Sequence, residues 1–359
     1  MKKKVGILTW HYYSNFGSGL QTYALQQLIK KMDYDVKIIN YRNPKFGLYS
    51  PFKDFIRVFF SYFLGWKIPR FRYAHLRYMY RYLKQTRCVQ NEAELKMLLD
   101  KFDTVVCGSD QIWAPNVFNP VYMAAYANDR VEKISYAASI GLRYIPNELI
   151  PEYQKYLSRF KAISIREEGG KWLLEEKIGV KTKVVLDPTL MHSADMYRTM
   201  ERKVKDVKQP YVFCYFLNKE NNYSQQVIKY ARKNKLLIYG YSDKVSDGQW
   251  MNRLEGLGAD EFLWLIDNSS TVFTDSYHAT IFSLLFHKNF WTFVRFAAND
   301  SINQNSRIEQ LVNNFAIGHR IVTEKETIDD TRLLDFEYFE KQVTNLRISS
   351  FDYLKQALS

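Results

Sequence analysis

Residues 4–41 read KVGILTWHYYSNFGSGLQTYALQQLIKKMDYDVKIINY, and their pattern decides the fold class. The short apolar run Lys4–Trp10 has the length of a buried strand. A polar loop with Gly17 and Gly19 follows. Leu20, Ala24, Leu25, Leu28 and Ile29 then recur at helical spacing, and DVKIINY reads as a second strand. Strand, glycine loop, helix and strand make the opening of a parallel βαβ unit. The basic N-terminus has too short an apolar run for a signal peptide, so it reads as part of that first strand.

The same alternation continues through FDTVVCGSDQIW (102–113), KISYAASIG (133–141), AISIREEGGKWLLEEKIG (162–179) and TKVVLDPTLM (182–191). Residues 51–87 interrupt it with nine Lys or Arg against a single Asp, interleaved with a dozen aromatics. They read as two helices hinged near Gly65–Pro69. A polar, charge-rich stretch from 192 to 209 marks a boundary, and a second α/β series follows from PYVFCYFL (210–217) through TVFTDS (271–276) to NFWTFV (289–294). The expectation is an α/β protein with an N-terminal Rossmann-like domain over 1–195, carrying the insertion at 51–87. A second such domain spans 205–325, and a helical tail, 326–359, packs back on the first. Two parallel-sheet domains place a ligand cleft between them, at the C-terminal ends of the strands.

Length and composition agree with two domains: 359 residues, 47% hydrophobic. The formal net charge of +13 asks for an anionic partner. Cys88, Cys107 and Cys214 show no metal spacing and read as reduced thiols of a cytoplasmic protein. No apolar run approaches the roughly 20 residues of a membrane span. HExxH and GxSxG motifs are absent, which removes the familiar metallopeptidase and serine-hydrolase readings.

Four stretches carry candidate site residues. Asn15, Gly17, Ser18, Gly19 and Gln21 join the first strand to its helix, where backbone N–H groups suit an anion or a sugar hydroxyl. Ser109, Asp110 and Gln111 end a strand, the usual ligand-binding edge of such a sheet. Arg166 follows the strand AISI, and its planar fork suits a carboxylate or phosphate, unless Glu167 or Glu168 pairs with it. In TDSYHATIFSLLF (274–286), Asp275 or Ser276 is a fitting N-cap, and His278 falls in the first turn of the helix. An acid in that place calls for an anionic ligand beside it.

Taken in order, NFGSGLQTYALQ, VVCGSDQIW, ISYAASIG, IREEGGKWLLEE with VLDPTL, and TDSYHATIFSLLF resemble the polysaccharide pyruvyl transferase family over residues 5–320. The resemblance implies a glycosyltransferase-B-like fold. It implies transfer of the pyruvyl skeleton of phosphoenolpyruvate to two hydroxyls of one sugar, in a polysaccharide or lipid-linked glycan, without cofactor or metal. By that likeness His278 is the acid and Arg166 holds the donor. The family also sets an arginine two residues before the histidine, where this chain has Ser276. If the donor is the same, another cation must supply that charge, and Arg295 and Arg307 are the candidates.

Two other readings stand beside this one. A transferase of the same fold using a nucleotide sugar would want a ribose-binding carboxylate, for which Glu261 is placed. A non-catalytic glycan-binding protein would turn over neither donor. The basic aromatic block at 51–87 could rest on anionic lipid at the inner face of the membrane, whereas nucleic acid finds no accompanying motif.

Overall fold

The computed structural model describes residues 2–12, 15–43, 70–217, 223–242, 250–295, 305–323 and 328–359. Contacts divide the chain into two units, residues 1–191 with 346–359, and residues 192–345. The divide falls at 191/192, where the sequence reading ends the first domain at 195. It also cuts through the C-terminal helix, not before it.

The first unit runs β1 (Lys4–Leu8), α1 (Phe16–Lys31), β2 (Asp35–Ile38), α2 (Arg70–Tyr82), α3 (Glu92–Leu99), β3 (Thr104–Cys107), β4 (Glu132–Ser135), α4 (Ile150–Leu157), β5 (Ser164–Ile165), α5 (Glu168–Leu173) and β6 (Lys183–Val184). Its sheet has the order β2-β1-β3-β4, every pair parallel. Bridges Ile134–Ala162 and Ala138–Ile165 carry it on to β5, which pairs with β6. The chain leaves β1 for β2 on one side and returns to β3 on the other, so the order reverses between β1 and β3. Loops diverge there and leave room at the strand ends.

Helix α1 starts at Phe16, earlier than the glycine loop suggests. Asn15 is its N-cap, and the Gly17 N–H donates to Asn15 Oδ1 at 2.9 Å. Its buried face holds Leu20, Ala24, Leu25, Leu28 and Ile29, the leucines and the isoleucine each contributing about 1.5–3 kcal/mol by burial. Lys30 and Lys31 in the last turn suit the negative end of the helix dipole. Of the two helices expected within 51–87, the second is α2, and the first lies outside the described residues.

The second unit runs α6 (Ala194–Arg198), β7 (Tyr211–Phe216), α7 (Tyr223–Lys233), β8 (Leu237–Ser242), β9 (Asn252–Arg253), α8 (Ala259–Asp267), β10 (Thr271–Thr274), α9 (Tyr277–Leu285), β11 (Asn289–Phe293), α10 (Ser306–Phe315) and β12 (Ile321–Val322). Its parallel sheet has the order β12-β11-β10-β7-β8-β9 and reverses between β7 and β10. The strands YVFCYF and TVFT are buried throughout, as strands covered on both faces must be.

Helix α11 (Phe336–Leu358) begins in the second unit and belongs to the first from Leu346 on. There Ser350 Oγ accepts the Leu186 N–H at 3.0 Å, and the Tyr353 hydroxyl donates to the Ser135 carbonyl at 2.9 Å. Among the described residues no helix is long and apolar enough to cross a membrane.

Candidate functional site

In the first unit the reversal point is bridged by side chains. Ser18 Oγ, in the first turn of α1, donates to Asp110 Oδ2 at 2.5 Å, and the Gln111 N–H donates to Asp110 Oδ1 at 3.0 Å. Asp110 has φ of +76°, a backbone position uncommon for a residue with a side chain, and follows a cis Gly108–Ser109 peptide.

Several residues expected to face a ligand are engaged in holding this edge together. Gln21 Nε2 donates to Thr9 Oγ1 and to the Ser18 carbonyl, both at 3.0 Å, while its Oε1 accepts the Ser109 N–H at 3.2 Å. Ser109 Oγ donates to the Ala137 carbonyl at 2.8 Å. The missing side chain of Gly19 is used by Tyr78 of α2, whose ring would lie 3.0 Å from a Cβ there and whose hydroxyl donates to the Gly19 carbonyl at 3.2 Å. These three tie β1, β3 and α2 together. Asn15 and Gln111 keep partial exposure. Gln111 lies over Gly141, where a Cβ would come within 2.0 Å of its Nε2.

Arg166 differs most from the expectation. It is 2% exposed, and its Nη1 donates to Asp187 Oδ2 at 2.6 Å. Asp110 stands 3.8 Å from Nη2 and Glu167 stands 4.0 Å from Nε. Asp187 also accepts the Thr189 N–H and hydroxyl. Glu167 Oε1 accepts the Ser139 hydroxyl and the N–H groups of Ile140 and Gly141. One guanidinium thus sits among three buried carboxylates, and its planar fork serves the protein's own acids. The sequence neighbour Glu167 is the farthest of the three; Asp187, in the quoted VLDPTL stretch, is the nearest.

In the second unit the strand-to-helix junction gathers the other candidates. Asp275 does not cap α9: its Oδ1 accepts the Leu217 N–H at 2.7 Å, across the reversal point between β10 and β7. Ser276 takes the N-cap position, yet its hydroxyl makes no capping bond. Thr274 Oγ1 accepts the Ser276 N–H at 3.0 Å and donates to the Tyr215 carbonyl at 2.6 Å. A helix leaves its first N–H groups without partners inside the helix, so its start can take an anion.

His278 lies in that first turn, 6% exposed, with its ring edge-on to Tyr277 at 5.2 Å. Both downstream arginines come to the same place. Arg295 Nη2 donates to the Asp275 carbonyl at 2.8 Å, and its Nε lies 3.7 Å from the Asp275 carboxylate. The Arg307 guanidinium stands over the Tyr277 ring, 5.6 Å from its centroid. Two cations and an imidazole therefore surround the start of α9. Glu261, by contrast, caps its own helix by accepting the Gly258 N–H at 2.7 Å, and it lies 3.5 Å from Arg202.

The sequence reading missed the Asp187 partner of Arg166, because which acid a buried arginine meets depends on the fold and not on spacing.

Comparison with known proteins bears on both the fold and the chemistry. Among solved structures the chain is similar to the UDP-GlcNAc 2-epimerase of Neisseria meningitidis bound to UDP-GlcNAc, with TM-score 0.52 and 13% identity, covering 99% of this chain and 94% of that one. It is similar to a putative UDP-N-acetylglucosamine 2-epimerase of Listeria monocytogenes, with TM-score 0.52 and 12% identity over 99% and 91%. The UDP-GlcNAc 2-epimerase of Methanocaldococcus jannaschii gives TM-score 0.50 and 13% identity over 98% and 100%. At such identities the likeness is one of fold, the glycosyltransferase-B type with two parallel-sheet units. Among curated proteins none matches the chain in sequence. The family model described as polysaccharide pyruvyl transferase matches residues 15–295, a span that takes in every candidate residue above except Arg307, and the chain belongs to that family.

Proposed function

We propose that the chain transfers the pyruvyl skeleton of phosphoenolpyruvate to two hydroxyls of one sugar, in a polysaccharide or lipid-linked glycan. The product is a pyruvate ketal, and phosphate is released. The observation that carries this reading is the gathering of His278, Arg295 and Arg307 at the start of α9. Phosphoenolpyruvate brings a carboxylate and a phosphate, and two guanidinium groups with a helix N-terminus suit both.

His278 gives its proton to C3, which makes C2 electrophilic. One sugar hydroxyl bonds to C2 and loses its proton. The C2–O bond to phosphate breaks with its electron pair on the phosphate, and the second hydroxyl closes the ketal. Of the two hydroxyl protons, one replaces that given up by His278 and the other leaves with phosphate. Arg295 and Arg307 supply the charge that the family places at the position of Ser276. Arg166 in this reading acts through Asp110, and Asn15, Ser18 and Gln111 line the sugar side.

The three free thiols support a cytoplasmic setting. Contact with anionic lipid through 51–87 has its described part in α2, where Arg72, Tyr73, Tyr80 and Arg81 are exposed. Salt-sensitive flotation with anionic liposomes is the result expected of such contact.

Phosphate release from phosphoenolpyruvate, measured with a lipid-linked glycan fraction as acceptor, tests the reaction, beside direct titration with phosphoenolpyruvate and with UDP-sugars. Binding of a UDP-sugar without binding of phosphoenolpyruvate would replace this reading with a nucleotide-sugar transferase.

A further inference from the structure

Strand β6 lies at the outer edge of its pair with β5. The N–H groups of Lys183 and Val185 donate to the Ile163 and Ile165 carbonyls, both at 3.0 Å. Alternation along a strand turns the next N–H, that of Leu186, away from β5. Leu186 is buried, so this N–H needs an acceptor from outside the sheet. Ser350 Oγ provides it at 3.0 Å, from the part of α11 that belongs to the first unit. The fully buried Tyr136 brings its hydroxyl to the same place. Burial and then the Asp187 carboxylate hold that phenol well above 10, so it stays uncharged there.

The residue after Leu186 is Asp187, whose two oxygens serve different partners. Oδ1 accepts the Thr189 N–H at 2.9 Å and hydroxyl at 2.6 Å, while Oδ2 takes Arg166 Nη1 at 2.6 Å. Arg166 Nη2 stands 3.8 Å from Asp110 Oδ1, and Asp110 in turn accepts the Ser18 hydroxyl and the Gln111 N–H. A line of contacts therefore runs from Ser350 through Leu186–Asp187, Arg166 and Asp110 to Ser18 and Gln111. From Ser350 to Asp110 no member is more than 6% exposed. Close-packed interiors transmit displacement, and buried charges have few other partners to turn to, so a shift at one end is passed along.

We propose that Ser350 is a positioning residue for the sugar side of the first unit. It fixes the chain at Leu186 against β5, which sets Asp187, and through Arg166 it sets the Asp110 carboxylate that holds Ser18 and Gln111. A displacement of about 1 Å at groups that orient a substrate is worth about a hundredfold in rate, so a hydroxyl on the C-terminal helix matters to a site it never touches. The sugar-side role of Ser18 and Gln111 rests on the pyruvyl-transfer reading, whereas the link from Ser350 to them does not.

Hydrogen exchange of the full chain, resolved to single amides, tests the link. The Gln111 N–H is held by the Asp110 carboxylate and so reports where that carboxylate sits. Exchange at Gln111 is expected to quicken about tenfold in Ser350→Ala and in Arg166→Gln. Tyr353→Phe, on the same helix, is the control. It takes a hydroxyl from the Ser135 carbonyl, which keeps Ser164 Oγ at 3.0 Å, so exchange at Gln111 should stay that of the parent. With phosphoenolpyruvate and the lipid-linked glycan fraction, Ser350→Ala should raise the KM for the glycan about tenfold and that for phosphoenolpyruvate less than about twofold. If phosphoenolpyruvate is not turned over at all, the pyruvyl-transfer reading fails while the exchange data still decide the link. Quickened exchange confined to Leu186, equal effects of Ser350→Ala and Tyr353→Phe at Gln111, or a glycan KM unmoved in Ser350→Ala would overturn the positioning role.

Discussion

The Leu217 N–H donates to Asp275 Oδ1 at 2.7 Å, and this one bond spans the point where strand order reverses in the second unit. It takes the acid that would otherwise cap α9, and Ser276 at the N-cap position makes no side-chain capping bond in its place. Ser18 and Asp110 make the corresponding bond at the reversal in the first unit.

Replacing Asp275 by Ala removes the acceptor of the part-buried Leu217 N–H and the anion beside Arg295. A loss of about 1–3 kcal/mol in urea unfolding is expected, together with weaker binding of phosphoenolpyruvate. Asp275→Asn keeps an acceptor oxygen for Leu217 and should recover most of the stability. Equal losses for both variants would show that the bond to Leu217 is not what matters.

Arg166 and its three carboxylates give a sharper expectation. Arg166→Gln leaves Asp187, Asp110 and Glu167 buried around a neutral amide, and breaking a buried pair from one side costs about 3–5 kcal/mol. The urea midpoint should fall accordingly. Were Arg166 a donor-binding group instead, the variant would keep the midpoint and lose only affinity for phosphoenolpyruvate.

The contrast between these two arginine roles shows how much was legible in the sequence. Strand and helix types follow from local periodicity, so the two parallel sheets and the place of TDSYHATIFSLLF could be read directly. Arg295 and Arg307 were named because the family sets an arginine at the position of Ser276, and in the fold they lie against Asp275 and Tyr277. The fate of Arg166 was not legible: which of several acids it meets depends on how β3, β5 and the segment after β6 converge. The neighbour of Gly19 was not legible for a related reason, because a glycine's empty side is filled by whatever the fold brings there, here Tyr78.

His278→Gln is expected to lower kcat by about 10²–10⁴ while the KM for phosphoenolpyruvate moves only a few-fold. Arg295→Gln and Arg307→Gln should do the opposite, raising that KM about tenfold or more with a smaller change in kcat. Steady-state kinetics on the three variants separates proton donation from anion binding. A His278→Gln enzyme with full kcat would remove this residue from the chemistry.

The last prediction concerns stability and pH, at a place remote in sequence from these residues. Burial, and next the Asp267 carboxylate, push Glu201 up from the ordinary 4.5 to about 7. Asp267 is itself bound by Arg198 Nε at 2.9 Å, and its carbonyl accepts Lys288 Nζ at 2.6 Å. The folded chain therefore holds the Glu201 proton more tightly than the unfolded chain does. The stability this proton contributes is full below about pH 4.5 and is lost as pH rises through about 7. Glu201→Gln mimics the protonated acid at every pH. Since Glu201 is only half-buried, the gain at pH 8 should be about 1 kcal/mol, or roughly 2–4 °C in Tm, with little difference near pH 4.5. Melts of both proteins at the two pH values check this, and an offset equal at both would mean that the amide changes packing and not proton binding.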